Sequence, residues 1–439
     1  MKILPGSVPL LQKICGAQAE KPGADYRKTT LALEVGCDGG KLLYHTLTGV
    51  LILLEDAREW ESRRAELIQN RFLVPTDFDE AAYADEALAV AALLQKKKTA
   101  ARTHFTILTT TDCNARCYYC YEAGVSKCTM TEATARAVAD YIARVSGGEK
   151  VEISWFGGEP LLNVPAIDCI CTALAAAGVP FSSKMTSNGY LFDGAAVEKA
   201  KTLWNLQSIQ ITLDGTAENY ERIKAYTGAS GGAFARVLSQ ISHAIGCGVN
   251  VCIRLNVCED NIDDLSALID ELAAYFPNRE HLLVYTSFLG DFRGDGRFSS
   301  RVLTAERYFA LKKKLYAAGF SCGIKPLSNE WKSNACMADN DGSDIILPDG
   351  GLCRCEHVLG QARCGQVDKD ERDEEVLRQW KERVRLPECP ACALYPRCIN
   401  LKKCAWVGAH CSDLIRTVRK RDLAEQMLAS YYLWKGEQT

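Results

Sequence analysis

From about residue 103 the chain alternates short strand-like runs with longer stretches of helical periodicity. The run "HFTILTT" predicts a strand. After a polar loop, Val138, Tyr141, Ile142 and Val145 recur at i, i+3, i+4 and i+7 and predict a helix over 131–146, closed by Gly147. "VEISWF" at 151–156 predicts the next strand. Its helix, 164–177, places Ile167, Ile170, Cys171 and Leu174 on one face, with Asn163 as cap and Gly178 as stop. "FSSKMTSNG", "SIQITLDG", "VNVCIRLNV" and "HLLVYTSFL" predict four more strands, with helical patterns near 195–204, 233–247, 261–274 and 304–318. Six strand–helix units in about 220 residues predict an α/β region with a parallel sheet and outer helices. The pattern alone leaves an open partial barrel and a doubly wound sheet both open.

Two strands carry more than periodicity. In the fourth, Ile209, Ile211 and Leu213 share one face, while Ser208, Gln210, Thr212 and Asp214 share the other. In the fifth, Val251, Ile253, Leu255 and Val257 oppose Cys252, Arg254 and Asn256. The apolar faces pack under helices and the polar faces look into the lumen. A polar lumen is costly unless it holds something polar. Thr212, Asp214, Arg254 and Asn256 are therefore candidate ligand contacts; the plainer alternative is a polar lumen that satisfies itself.

The flanks break the rhythm and divide the chain into 1–95, 100–325 and 326–439. In 1–95, "KTTLALEV" and "KLLYHTL" around "GCDGG" predict a hairpin, followed by a mostly polar helix near 55–70, "RFLVP", and an Ala-rich helical connector over 80–100. The basic run "KKKTAAR" at 96–102 reads as a solvated linker. In 326–439 strands are few, "DKDERDEE" reads as a solvated turn or helix start, and a final helix spans roughly 412–433.

Composition narrows the function. A hydrophobic content of 47%, a charged content of 24% and a net charge of -3 are those of an ordinary globular chain, with no basic footprint for nucleic acid or an anionic membrane. No apolar stretch reaches the ~18 residues of a membrane span. "MKILPGSVPLLQKICG" lacks a signal-peptide core, so a cytoplasmic location is expected. The 21 cysteines are then reduced thiols, and their clustering points to metal or iron–sulfur binding. Three fall at 113–120 and nine between 336 and 411.

The first group, in "TTTDCNARCYYCYE", is Cys113-x3-Cys117-x2-Cys120 at the end of the first strand. Structural zinc wants a fourth ligand, and only Cys128 is near. A [4Fe–4S] cluster held by three thiolates keeps one iron open, at the strand ends where α/β folds build active sites. "WFGGEP" ends the second strand with two glycines and the carboxylate of Glu159. "TSNG" closes the third with Ser187 and Asn188 at the same rim.

These motifs resemble the signature of radical S-adenosylmethionine enzymes. The resemblance implies a partial (β/α)6 TIM barrel whose open iron is chelated by the amino and carboxylate groups of S-adenosylmethionine, and whose cluster cleaves that cofactor to a 5′-deoxyadenosyl radical. It makes Cys113, Cys117 and Cys120 the catalytic cluster ligands and Tyr119 a neighbour of the adenine. It gives Gly157, Gly158 and Glu159 the methionine ammonium. Thr212, Asp214, Arg254 and Asn256 become candidates for the ribose and carboxylate.

The C-terminal cysteines run Cys336, Cys353, Cys355, Cys364, Cys389-x2-Cys392-x5-Cys398, Cys404 and Cys411, with Gly350 five residues before Cys355. This resembles the SPASM extension, which binds two auxiliary [4Fe–4S] clusters. Five residues separate Cys398 from Cys404 where that pattern usually has three, and the gap from Cys404 to Cys411 is also short, which puts the partition of the last ligands in question. The resemblance implies an outer cluster on Cys389, Cys392, Cys398 and Cys411. It implies an inner one on Cys336, Cys355 and Cys404, with Cys353 a possible fourth ligand and Cys364 a ligand or spare. A zinc ribbon is the plainer alternative, with more cysteines than two zinc sites use. Cys15, Cys37, Cys169, Cys171, Cys247, Cys252, Cys258 and Cys322 read as small core residues.

Enzymes that pair this core with two auxiliary clusters act mostly on peptides or proteins. The resemblance implies a maturase that installs a thioether or related crosslink in a ribosomally made precursor peptide. Its partners would be that peptide with its leader region and a one-electron reductant of the flavodoxin or ferredoxin type. A sulfatase-maturing oxidase is the alternative. A non-catalytic iron–sulfur electron-transfer or scaffold protein is the alternative of another class, and it leaves "GGEP" and the polar strand faces unexplained. The N-terminal unit would take a leader strand on a sheet edge or serve as a cap on the barrel.

Overall fold

The computed structural model describes residues 1–4, 9–95, 101–228, 231–289, 303–320, 325–328, 336–360, 363–398, 402–404, 411 and 413–436. Cys322, expected in the core, lies outside them, as do residues 96–100 of the basic run.

The N-terminal region runs β1 (Lys2–Leu4), α1 (Pro9–Cys15), β2 (Tyr26–Lys28), β3 (Ala32–Cys37), β4 (Gly40–His45), β5 (Leu51–Leu54), α2 (Glu59–Ser62), α3 (Arg64–Gln69), β6 (Leu73–Pro75) and α4 (Glu80–Gln95). The predicted hairpin is β3–β4, paired from Ala32↔His45 to Cys37↔Gly40. The helix expected near 55–70 is two short ones. The sheet order is β1-β5-β4-β3, so β3 is an edge strand. Alternation gives this sheet two apolar faces. Leu43, Ile52 and Leu54 meet Leu67, Ile68 and Phe72 on one side. Leu42, Tyr44, Leu51 and Leu53 meet Leu394, Leu423, Met427 and Tyr431 of the C-terminal region on the other. The N-terminal unit thus shares its core with the chain's far end.

The middle region runs β7 (His104–Thr110), α5 (Glu132–Ser146), β8 (Val151–Gly157), α6 (Val164–Ala176), β9 (Phe181–Ser187), α7 (Gly194–Thr202), β10 (Leu206–Leu213), α8 (Ala217–Lys224), α9 (Ala233–Gly246), β11 (Asn250–Val257), α10 (Ile262–Tyr275), β12 (Leu282–Phe288) and α11 (Ala305–Ala317). The six strands stand in sequence order, β12-β11-β10-β9-β8-β7, and every pair is parallel. A doubly wound sheet reverses its order at a switch point. Without a reversal, right-handed crossovers keep the helices on one face, and the sheet curls into an open barrel. Ile209, Ile211, Leu213, Val251, Ile253 and Leu255 are 0% exposed beneath the helices. Ser208, Gln210, Thr212, Cys252 and Arg254 are half-buried on the other face. A one-residue slip would turn all six apolar chains into the lumen, at ~1.5–3 kcal/mol each, which pins the register.

Two details depart from the sequence reading. Asn163 occupies the cap position, but its amide donates to the carbonyls of Thr109 (2.9 Å) and Met130 (3.0 Å), tying the end of β7 to the approach to α5. Helix α8 was not predicted: eight mostly polar residues are too few to show a period.

The C-terminal region has β13 (Ser343–Ile346), β14 (Gly351–Cys353), β15 (Arg363–Gln366), α12 (Glu374–Gln379) and α13 (Asp413–Gly436). Strand β13 pairs in parallel with β7, from Ser343↔His104 to Ile346↔Ile107, and β14 and β15 follow antiparallel, extending the barrel sheet to nine strands. Asp344, 1% exposed, fastens this junction. It accepts from Tyr141 Oη (2.6 Å) and twice from Arg372 (2.8 Å each), and Arg102 lies 3.4 Å away. Arg372 belongs to the acidic run read as a solvated turn, and Arg102 to the basic run read as a solvated linker. Both are instead tethers for a buried carboxylate.

Candidate active site and cysteine groups

The loop after β7 carries Cys113, Cys117 and Cys120, and the ends of the next strands close around it. Gly157, at φ +121°, and Gly158 end β8 where the loop backbone passes; a side chain on either would collide with the carbonyl oxygens of Thr110 and Asp112. The amides of Gly158 and Glu159 donate to those same carbonyls at 3.0 and 2.9 Å. The glycines thus let the triad loop approach the end of β8 closely.

Glu159 is 0% exposed. Its carboxylate accepts from the amides of Leu161 (3.1 Å) and Asn188 (2.8 Å) and from Ser187 Oγ (2.9 Å). Burial pushes its pKa up to about 6 despite these donors. A carboxylate has about four acceptor positions, so one remains. Asn188 continues the chain of contacts to Asn114 Oδ1 (2.7 Å) and Cys113 Sγ (3.8 Å). Cys113, Glu159, Ser187 and Asn188 form one side of the site.

The other side gathers on Asp214, 1% exposed. It accepts from Tyr119 Oη (2.8 Å) and Asn256 Nδ2 (3.1 Å), and Lys224 Nζ stands 2.8 Å away. Lys224 also reaches Tyr119 Oη at 3.2 Å. Burial alone would lower the lysine's pKa; Asp214, Tyr119 and Cys117 outweigh it and hold the ammonium well above its usual value. Sequence reading missed Lys224. The signal was there, in "NYERIKAY", where a lysine falls beside the apolar positions Tyr220 and Ile223. Thr212 and Arg254 face each other across β10 and β11. Arg254 donates to Ser287 Oγ (2.9 Å), away from Asp214, and its buried Nε has no acceptor among the described residues.

Burial raises all three triad thiols, Cys113 to about 12 and Cys120 to about 11. Protonated thiols in a pocket with few cations suit a metal that displaces their protons on binding. On the Cys120 side, Tyr121 meets the ring of His357 edge-on, centroids 4.5 Å apart. His357 follows Cys355, whose thiol has Cys336 and Cys404 within electrostatic reach and is raised by burial to about 12. Cys336 also lines a 210 Å³ cavity at the opposite, strand-start end of the lumen, with His104, Glu152 and Ser154. Cys353, 0% exposed, packs in one cluster with Cys355, Cys336 and Cys404; its thiol donates to the Cys355 carbonyl (3.4 Å), and Cys364 is its neighbour.

Cys389, Cys392, Cys398 and Cys411 form a third group. Cys389 and Cys392 also pack against the N-terminal apolar residues around Leu31, Leu47 and Ala84. Among the described residues no three Cys, His, Asp or Glu side chains converge where a single metal ion would sit. The thiolates of a four-iron cluster each bind a different iron and have no such common point. Of the cysteines read as core, Cys15 and Cys171 are buried, whereas Cys37, Cys169, Cys247, Cys252 and Cys258 are half-buried. Cys252 shows why: its strand turns it to the lumen.

Residues 107–272 match the profile of the Radical SAM superfamily. The chain carries a radical SAM domain. A radical SAM domain implies an enzyme that uses S-adenosylmethionine and a [4Fe–4S] cluster, and the three half-buried thiols of its first loop are a donor set suited to one. A probable GTP 3′,8-cyclase of Methanosarcina mazei is 29% identical over 181 residues, 38% of this chain; the match spans 50% of that protein's length. Among solved structures, anSMEcpe with bound AdoMet and Cp18Cys peptide has a TM-score of 0.55 at 14% identity, over 76% of this chain and 99% of that one. SuiB of Streptococcus suis bound to S-adenosylmethionine has 0.52 at 14%, over 87% and 96%. SuiB bound to the precursor peptide SuiA has 0.50 at 13%, over 88% and 96%. At these identities the likeness is one of fold.

Proposed function

We propose that the enzyme is a cytoplasmic maturase of a ribosomally made peptide and installs a thioether or related crosslink. One observation supports this reading: the triad loop and the turn after Cys355 touch, the ring of Tyr121 meeting that of His357 edge-on. The bound cluster and S-adenosylmethionine would supply a 5′-deoxyadenosyl radical for hydrogen abstraction. Cys113, Cys117 and Cys120 hold the cluster. The carboxylate of Glu159, with Ser187 and Asn188, orients the methionine ammonium, and Gly157 and Gly158 keep that rim against the triad loop. Lys224 keeps one N–H beyond Asp214 and Tyr119, suited to the methionine carboxylate. Asp214, Asn256 and Tyr119 border the nucleoside, with Thr212 and Arg254 further into the lumen.

In this reading the C-terminal region holds two auxiliary [4Fe–4S] clusters. The inner lies on Cys336, Cys355 and Cys404, and the outer on Cys389, Cys392, Cys398 and Cys411. Residues 1–95 recognise the precursor's leader along the edge of β3, whose residues are half-buried or exposed. A one-electron carrier of the flavodoxin or ferredoxin type supplies the reductant. Structural neighbours that bind peptides support the substrate class.

The test has two stages. Anaerobically reconstituted protein with dithionite and S-adenosylmethionine should release 5′-deoxyadenosine, and the Cys113→Ala/Cys117→Ala/Cys120→Ala variant should release none and lose one cluster's iron. Co-expression with short cysteine-containing reading frames from its genomic neighbourhood should yield a peptide lighter by two hydrogens. An unmodified set of such peptides, with cofactor cleavage intact, would sink the maturase reading.

A further inference from the structure

The two C-terminal cysteine groups differ in the cations that reach their sulfurs. Helix α13 starts beside the outer one. From its first two turns Arg416 Nη1 donates to Cys411 Sγ at 3.3 Å and to the Cys411 carbonyl at 2.9 Å. Arg419 Nη1 donates to Cys398 Sγ at 3.5 Å. The i, i+3 spacing puts both guanidinium groups on one helix face. Arg416 shares its charge with Asp413, whereas Arg419 has no acidic partner among the described residues.

Around the inner group Cys336 and Cys355 have Glu356 and Asp339 beside them, and Arg383 reaches Asp339 at 3.6 Å. A second cation, Arg354, is 3% exposed and spends its donors on the carbonyls of Met337, Ala338, Asn340 and Ser343. None of those bonds goes to sulfur. Arg354 holds the turn after Cys336 in place; Arg416 and Arg419 address the thiols themselves.

Reduction adds negative charge to an iron–sulfur cluster, so donors and cations on its sulfurs favour the reduced form, and carboxylates nearby oppose it. We infer that Arg416 and Arg419 raise the reduction potential of the outer cysteine site above that of the inner one. The inference rests on the reading that both groups hold [4Fe–4S] clusters. The two arginines act as positioning and tuning residues, through thiolates they bond directly.

The experiment uses the full chain carrying Cys113→Ala, Cys117→Ala and Cys120→Ala, reconstituted anaerobically and titrated with redox mediators under electron paramagnetic resonance. Cys336→Ala and Cys398→Ala assign the two signals. The outer signal should have the higher midpoint. Arg419→Gln should move its reduced-to-oxidised ratio about tenfold toward oxidised, about 59 mV for one electron, and leave the inner signal in place. Arg416→Gln should move it less, because Asp413 already offsets that charge, and Arg419→Lys should recover part of the shift. An unmoved outer midpoint in the Arg416→Gln/Arg419→Gln variant, with iron content intact, overturns the inference, as does an inner midpoint above the outer. Iron for one cluster only in the unaltered protein overturns the three-cluster reading beneath it.

Discussion

The barrel rim and the C-terminal region solve the same problem, holding thiols in place, by different means. At the rim the buried carboxylates of Glu159 and Asp214 are locked by other parts of the protein. Glu159 is held from β8 and β9, and Asp214 from the triad loop, β11 and α8. In the C-terminal region the cysteines ride on single turns such as Met337–Asp339, Glu356–Val358, Cys389–Ala391 and Tyr395–Arg397. Single turns carry few cooperative hydrogen bonds of their own. Tethers from elsewhere stand in for them: Arg354 on its carbonyls, and Tyr395 Oη against Asp85 of α4. The rim is held by the protein's own hydrogen bonds, whereas the C-terminal turns lean on their neighbours and, in the proposed reading, on iron.

The largest test of that contrast is iron removal. Chelation under oxidising conditions should strip amide protection from 336–398 while β7–β12 keep theirs, read by hydrogen exchange. Equal loss in both regions would erase the distinction.

Next comes Lys224→Met, which leaves Asp214 buried without its cation. A broken buried pair costs about 3–5 kcal/mol. The Lys224→Met/Asp214→Asn double variant should recover most of it in a denaturant titration, and a failure to recover would mean the rim is held mainly by other contacts.

The smallest test uses pH, where two buried groups pull in opposite directions. His45, in the N-terminal sheet that packs on the C-terminal region, has its pKa lowered by burial to about 4. Its unfolded form binds the extra proton between about 4 and 6.5, so stability there rises with pH, by about 3 kcal/mol in all. Glu159, raised to about 6, binds its extra proton in the folded state. Stability from the rim therefore falls as pH rises from about 4.5 to 6, by about 2 kcal/mol. Region-resolved hydrogen exchange across that window should show opposite slopes, each flattened by His45→Gln or Glu159→Gln respectively.

What was legible in the sequence follows the same division. Six strands and six of the barrel's helices announced themselves because burial of one face imposes a period. The triad stood out because three thiols in eight positions need a chemical reason. Helix α8 was too short to show its period, and it carried Lys224 out of sight with it. Strand β13 is four residues whose place beside β7 depends on a pairing more than 230 positions away. Arg372 and Arg102 sit in charge runs that look solvated, and only the fold reveals the buried Asp344 between them. Cysteine spacing says how many thiols are available but not which way each one faces.

The pairing of β13 with β7 bears on how the protein can be taken apart. Strand β7 leads directly into the triad loop, and the C-terminal region occupies its outer edge. A chain ended after α11 would leave that edge bare, with Phe105, Ile107 and Leu108 along it and nothing to block a second copy from pairing there. The barrel is therefore not a portable cassette, to be cut out for expression or grafted onto another substrate module. Any swap has to cross within the C-terminal half and keep the strand that seals the catalytic edge.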